Sequence, residues 1–593
     1  MEIPAGLVAT HCGGRCGGGA DAACTCAGAR HALFRGSEGK SLFVGGGISS
    51  VEGAKIALAA GADPLIVEAL PFLGGIWATA ANPESRIQVD PVAFRPVEDA
   101  APVAAPDAED PFATIYPSRA AVLLRLEDHV ARFGLRPRAL CGVEVARFER
   151  LGVGAAGAPQ GPGLVRVTFR KVAPPLPPPQ EGCCACCAAA ARAGEFAHDF
   201  KEVHVRTGSL TKGSHKGGDF RFAGEEGGSF KGRVVKGIAN DITMAGFEGQ
   251  DVVIVGLGAF AVENARRALQ GRARSITVLS RRFDKLLFPE LACYLLRQRL
   301  QQDAAGTQAH TEQLWADVYD VVAAAAGATG MRDVVLNPAT LRKVGGLEHF
   351  VFSKGLPSMA SNTLLLGAHY GLVDVREDEI ARLEGGVVHT KHGRAIPCTV
   401  LVKCMGFGCD ETLLDGHAVE DSYFVGGAPN MTHNLRADCV NGEGQLIGPR
   451  VAASNFLISY YEDAQEYERA IQRLNQHAPA FAEFRALQPA SRFERVAQVD
   501  YFTTLELSDK LASMQDPGMR RVYAENQATR RALYEKCLPE EAFIEHDMAS
   551  WDKLARHFAA RTGKPVLDYP FALTGSASQG FRYKAGGGSA ARL

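Results

Sequence analysis

Short apolar runs that stop at glycine recur along this chain, and two of them open the same pattern. Residues 42–44 (LFV) read as a buried strand, and Gly45, Gly46 and Gly47 follow at once. Residues 54–60 carry small apolar side chains at helical spacing, and 64–67 (PLIV) read as a second strand ending at Glu68. Residues 251–255 (DVVIV) and 276–279 (ITVL) repeat the plan around Gly256 and Gly258. Runs that are apolar without alternation suit strands buried on both faces, as in parallel sheets. Between the repeats, Val122, Leu123, Leu126 and Val130 share one helical face, whereas 143–147 and 164–169 alternate like strands. Further strands are expected at 200–207, 372–375, 387–390 and 399–402, and helices at 283–330, 455–474, 509–537 and 549–561.

The two glycine turns have a chemical reading. In the first, Gly45, Gly47 and Ser50 form G-x-G-x-x-S between strand and helix. Gly45 permits the tight turn, Gly47 lets backbone approach a pyrophosphate, and Ser50 is small enough for close helix–strand packing. The free N–H groups and positive dipole end of the helix attract phosphate. Glu68 lies 23 residues after Gly45, where a carboxylate accepts ribose hydroxyls. In the second turn Gly256, Gly258 and Ala261 repeat the spacing, and the strand ends in Ser280, Arg281 and Arg282 instead of an acid. Arginine pairs with a phosphate, so this unit is expected to prefer NADPH to NADH. The alternative is that both arginines are merely solvated.

The fold class that follows is α/β, with two nested Rossmann-like dinucleotide-binding domains and a helical C-terminal region. The expected division is a disordered leader (1–38), a first domain begun at 39–229 and completed at 386–460, a second domain at 230–385 with a helical insert at 283–330, and helices from 461 to 593. A low-complexity Pro/Cys/Ala insert at 172–195 interrupts the first domain. The C-terminal helices are read as a cap or a homo-oligomer surface.

Composition adds limits. A net charge of -2 gives no sign of a nucleic-acid partner. No apolar run approaches the roughly 18 residues that would span a bilayer. The odd total of 15 cysteines, mostly clustered in the leader and the insert, argues for a reducing, cytoplasmic setting rather than a disulfide scaffold. Import into an organelle through the leader is the alternative. The pairs Cys183/Cys186 and Cys184/Cys187 have C-x-x-C spacing but lack the helix terminus or base that would activate a thiol. The leader's His11 and cysteines lack zinc-pair spacing, and no metal is expected.

Past the first unit, Gly74, Gly75 and Trp77 form a loop followed by the polar cluster Asn82, Arg86, Gln88 and Asp90. The plain alternative is a surface loop with Trp77 in the core. Gly406, after the strand at 399–402, would again allow backbone near a cofactor.

Taken with GGGISS (45–50), Glu68, GGIW (74–77), Thr207-Gly208, FKGRVVKG (230–237), GLGAFA (256–261), Arg281-Arg282 and CMGFG (404–408), the plan resembles the flavin-containing monooxygenases. This is the class B flavoprotein group that includes Baeyer–Villiger enzymes. The resemblance covers about 40–460. It implies FAD in the first unit and NADPH in the second. It also implies transfer of one oxygen atom from O2 to a small organic substrate, at nitrogen, sulfur or a carbonyl carbon, through a C4a-(hydro)peroxyflavin. It puts the 74–77 loop near the flavin ring and makes Asn82, Arg86 and Gln88 candidates for lining the flavin edge. Lys236 becomes a candidate for contacting NADPH phosphate or steering oxygenation. Lys236 stands where the family has histidine, and Cys404 to Phe407 where it has A-T-G-Y. An uncoupled NAD(P)H oxidase or reductase, or a non-enzymatic FAD-binding redox sensor, are the alternatives.

Overall fold

The computed structural model describes residues 33–59, 61–87, 91–92, 101–153, 159–171, 195–200, 202–207, 220–281, 283, 287–299, 308–331, 334, 360–406, 433–436, 534–574 and 582–585. In chain order the elements are β1 (Lys40–Val44), α1 (Ile48–Ala59), β2 (Asp63–Glu68), α2 (Gly75–Thr79), α3 (Arg119–Arg132), β3 (Ala139–Cys141), β4 (Val143–Val153), β5 (Pro159–Lys171), β6 (Phe196–Phe200) and β7 (Glu202–Val205). They continue with β8 (Arg233–Val235), β9 (Asp251–Val255), α4 (Ala259–Gln270), β10 (Ser275–Ser280), α5 (Glu290–Arg299), α6 (Gln308–Thr329), α7 (Asn362–His369) and β11 (Asp374–Glu377). The last are β12 (Ile380–Glu384), β13 (Val387–Thr390), β14 (Ala395–Pro397), β15 (Val400–Lys403), β16 (His433–Arg436), α8 (Glu540–Thr562), β17 (Phe571–Thr574) and β18 (Arg582–Ala585).

The chain divides into two compact units, each assembled from three segments: 1–79, 120–212 and 409–501 in the first; 80–119, 213–408 and 502–593 in the second. The first unit holds a five-stranded sheet in the order β16-β7-β1-β2-β3. Its central strands are parallel, and β16 joins β7 antiparallel at the edge. The unbroken runs LFV and LIV are explained by burial on both faces. Leu42, Val44, Leu65 and Val67 face one core, shared with β5 and β6. Phe43 and Ile66 face a second core with α1 and the Leu123, Leu126 and Val130 stripe of α3. Complete burial of such a side chain stabilises by about 1.5–3 kcal/mol.

The second unit holds a wholly parallel sheet in the order β11-β10-β9-β15-β8. One face carries Val253, Leu279 and Leu401 against the β12–β14 meander. In α4, every residue from Ala261 to Leu269 is buried.

The division differs from the expected one in several places, and among them residues 80–119 and 213–229 belong to the second unit rather than the first. Phe34 is buried in the first unit's core, so the ordered chain begins before residue 39. The pairing of β15 with β8 and β9 puts 400–403 in the second sheet, because its run of apolar residues is buried between two parallel neighbours. Finally, α8 is no separate helical layer. Phe543, Trp551 and Phe558 are buried in the second unit, with Phe543 stacked on Tyr294 at 3.9 Å between ring centroids. The leader before residue 33, the Pro/Cys insert and the helices expected at 455–474 and over most of 509–537 lie outside the described residues.

Candidate functional site

Each unit builds its glycine turn in the same way. The first glycine of each sits in the left-handed region, Gly45 at φ 105° and Gly256 at φ 109°. The Gly45 N–H donates to the Val67 carbonyl at 2.8 Å, and the Gly256 N–H to that of Leu279 at 2.8 Å. On the other side, a Cβ on Gly45 would stand 2.4 Å from the Arg206 carbonyl oxygen. A Cβ on Gly256 would stand 2.1 Å from that of Cys404. Only glycine fits, for backbone angle and for space alike. The two turns therefore lie at the carboxyl ends of their strands, where ligands of open parallel sheets bind.

The register decides the polarity of each site. With Val67 equivalent to Leu279, Glu68 is matched by Ser280, and Arg281 comes next. The Glu68 carboxylate accepts from the Gly46 N–H and, at 2.8 Å, from the Leu70 N–H. Burial pushes its pKa up, opposed by the backbone N–H groups of Leu70, Gly46 and Ala69. Arg281 is exposed beyond the end of β10; Arg282 lies outside the described residues.

The first turn fits a dinucleotide in two further respects. Around Gly47 the space is open, the nearest atom to a built Cβ being the Gly75 Cα at 3.8 Å. The Ser50 hydroxyl is buried with no hydrogen-bond partner among the described residues. Gly74 and Gly75 serve this turn directly. The Gly74 N–H donates to the Gly46 carbonyl at 2.8 Å, and a Cβ on Gly75 would meet the Gly47 Cα at 2.9 Å. Their bare backbone is thus used to seat the loop on the glycine turn. Trp77 is half-buried against the first unit's core.

The polar cluster after the loop is placed within the second unit. Asn82 is buried and its amide is fully engaged: Nδ2 donates to the Gly237 carbonyl at 2.9 Å and to Glu263 Oε1 at 2.7 Å, while Oδ1 accepts from the Asn240 N–H at 2.9 Å. Arg86 donates to the Tyr116 carbonyl at 3.3 Å, and burial lowers its pKa, against the pull of Asp110 and Glu290. Gln88, Asp90 and Gly208 lie outside the described residues. Lys236 is exposed at the end of β8, its N–H held by Asp241 at 2.6 Å. Gly258 caps α4, Ala261 is fully buried behind it, and Gly406 adopts φ 88°.

Sequence reasoning missed Glu263, Asn264 and Arg267 on α4. Arg267 is completely buried and donates to Glu84, Asn240, Asn264 and the Ile242 carbonyl. The signal was present: Glu263-Asn264 and Arg266-Arg267 put two polar pairs, separated only by Ala265, on a helix whose other inner positions are small and apolar. No described helix is long and apolar enough to cross a membrane.

No family model and no curated protein matches the chain. Among solved structures it is similar to a polycyclic ketone monooxygenase from the thermophilic fungus Thermothelomyces thermophila, at 14% identity and a TM-score of 0.45 over 82% of this chain and 88% of that one. It is also similar to a cyclohexanone monooxygenase (15%, TM-score 0.42, 83% and 97%). A flavin-containing monooxygenase from Stenotrophomonas maltophilia aligns at 18% identity and a TM-score of 0.35, over 69% and 84%.

Proposed function

We propose that the chain is an FAD- and NADPH-dependent monooxygenase that adds one oxygen atom from O2 to a small organic substrate. The observation that carries the two-cofactor part of this reading is the pair of matched glycine turns with unlike strand ends, Glu68 in one unit and Ser280 and Arg281 in the other; oxygen transfer is what the resemblance to flavin-containing monooxygenases adds. A carboxylate suits the ribose hydroxyls of FAD, and it repels the 2′-phosphate that arginine attracts. Bound FAD would supply the redox chemistry, accepting reducing equivalents from NADPH and passing them to O2.

The protein's part is binding and orientation. Gly47 leaves room for the FAD pyrophosphate, the N-terminal N–H groups of α1 face it, and the Ser50 hydroxyl is a spare donor beside them. Glu68 keeps lone pairs for the ribose while its backbone donors hold it in place. In the second unit the α4 N-terminus at Gly258 takes the NADPH pyrophosphate, and Arg281 and Lys236 supply positive charge at the strand ends.

The test is substrate-dependent NADPH oxidation with amines, sulfides and ketones, scored for oxygenated product and for peroxide. Product formation with a fall in peroxide supports the monooxygenase; peroxide yield unmoved by every substrate would make the chain an oxidase.

A further inference from the structure

The buried carboxylate of Glu263 has no role in the reading above, and its contacts lead back to the second glycine turn. Glu263 Oε1 accepts two hydrogen bonds, from Asn82 Nδ2 at 2.7 Å and Ser85 Oγ at 2.6 Å. Ser85 Oγ also accepts from the Asn82 N–H at 2.7 Å, closing a small ring of bonds. Asn82 passes the constraint on to the Gly237 carbonyl, which a second amide, Asn264 Nδ2, also holds at 2.9 Å. Asn264 in turn lies 3.7 Å from the Cys404 sulfur, and the Cys404 carbonyl is the group pressed against Gly256. All of these residues lie in the second unit.

The strand register gives this chain of contacts its meaning. Val235 pairs with Val402, and Lys403 pairs with Val255, so Lys236, Cys404 and Gly256 are the first residues past three neighbouring parallel strands. They form the rim on which a dinucleotide would rest. The Gly237 turn just behind the rim adopts φ 71°, and a Cβ there would meet Asn264 Nδ2 at 2.5 Å. Its carbonyl is held by the Asn82 and Asn264 amides, while its N–H donates to the Asp241 carboxylate at 3.1 Å.

We infer that Glu263 is a positioning residue of the NADPH site, holding the rim of the second glycine turn through Asn82, Ser85 and Gly237. The inference rests on the assignment of that turn to NADPH. Both donors use the same oxygen, so an acceptor is required at Oε1. Glu263→Gln keeps the acceptor; Glu263→Met keeps the length and removes it. Burying Asn82 and Ser85 without that partner leaves two donors unsatisfied.

The experiment is equilibrium titration of the purified protein with NADP+, alongside its FAD content and melting temperature. Glu263→Met is expected to weaken NADP+ binding tenfold or more with FAD content unchanged, and Glu263→Gln threefold or less. Ser85→Ala, which removes one of the two donors, is the milder variant should Glu263→Met fail to fold, and weakening between those limits is expected. Wild-type NADP+ affinity in Glu263→Met or Ser85→Ala, or equal loss of FAD and NADP+, overturns the positioning role. Failure of the wild-type protein to bind NADP+ would instead remove the NADPH assignment itself.

Discussion

Alanine at Gly45 or Gly256 separates the two sites. At Gly45 the added methyl would lie 2.4 Å from the Arg206 carbonyl oxygen and 2.9 Å from its carbon, both rigid backbone atoms. The residue also holds φ 105°, where an L side chain costs about 1–2 kcal/mol. Relief of the overlap by a backbone shift adds about 1–3 kcal/mol. The total, about 2–5 kcal/mol, is below the 5–15 kcal/mol or so that typically holds a domain together. The variant should therefore fold with its turn displaced from the strand ends. Gly256→Ala meets the Cys404 oxygen at 2.1 Å at φ 109° and carries a similar cost. The assay is the flavin-to-protein absorbance ratio after reconstitution with FAD, together with NADP+ titration. Gly45→Ala should lose FAD and keep NADP+ binding; Gly256→Ala should do the reverse. Loss of FAD in Gly256→Ala with NADP+ binding retained would refute the assignment of cofactors to turns.

Four further outcomes follow from the same structure. Replacing Arg281 and Arg282 together by alanine should raise KM for NADPH at least tenfold with little change for NADH; equal effects on both would remove the 2′-phosphate role. Burial raises the Glu290 carboxyl to about 8, reinforced by nearby Asp547, whose own carboxyl burial raises to about 6. A carboxyl raised in the folded state stabilises fully below its unfolded value, and that stability is lost as pH rises through about 8. Glu290→Gln should thus raise Tm more at pH 8 than at pH 5, by about 2–4 °C for each kcal/mol recovered, and an equal change at both pH values would contradict the buried acid pair. Trp551→Ala should cost about 3–5 kcal/mol in thermal or denaturant unfolding, because the ring is fully buried in α8; a cost under 1 kcal/mol would make α8 peripheral. Serine at Cys183, Cys184, Cys186 and Cys187 should leave NADPH turnover unchanged, whereas a disulfide reductase would lose it.

The glycine turns were legible in the sequence because their constraint is local. A left-handed first glycine, a small third position and a strand-end acid or arginine all fall within about 25 residues. The unbroken runs LFV and LIV likewise announced strands buried on both faces. The polar network was less legible because its partners are distant along the chain: Asn82 meets Glu263 across 181 residues and Gly237 across 155. From the sequence Asn82 reads as a group facing the flavin edge, whereas its amide is spent on Glu263, Gly237 and Asn240. The membership of β15 in the second sheet was hidden for a related reason. The run TVLV suits either parallel sheet, and only pairing with β8 and β9 decides between them. Trp551 in α8 was invisible as core because its neighbours come from Tyr569 and Phe571, in a segment with no helical period.

The proposed function requires that FAD bound to this chain accept electrons from NADPH. Its most direct test is the visible spectrum of the purified protein during NADPH addition without oxygen. The expected result is a flavin band that NADPH bleaches, that NADH bleaches far more slowly, and that returns when air is admitted. A folded protein that takes up no flavin, or a bound flavin that NADPH leaves oxidised, would contradict it.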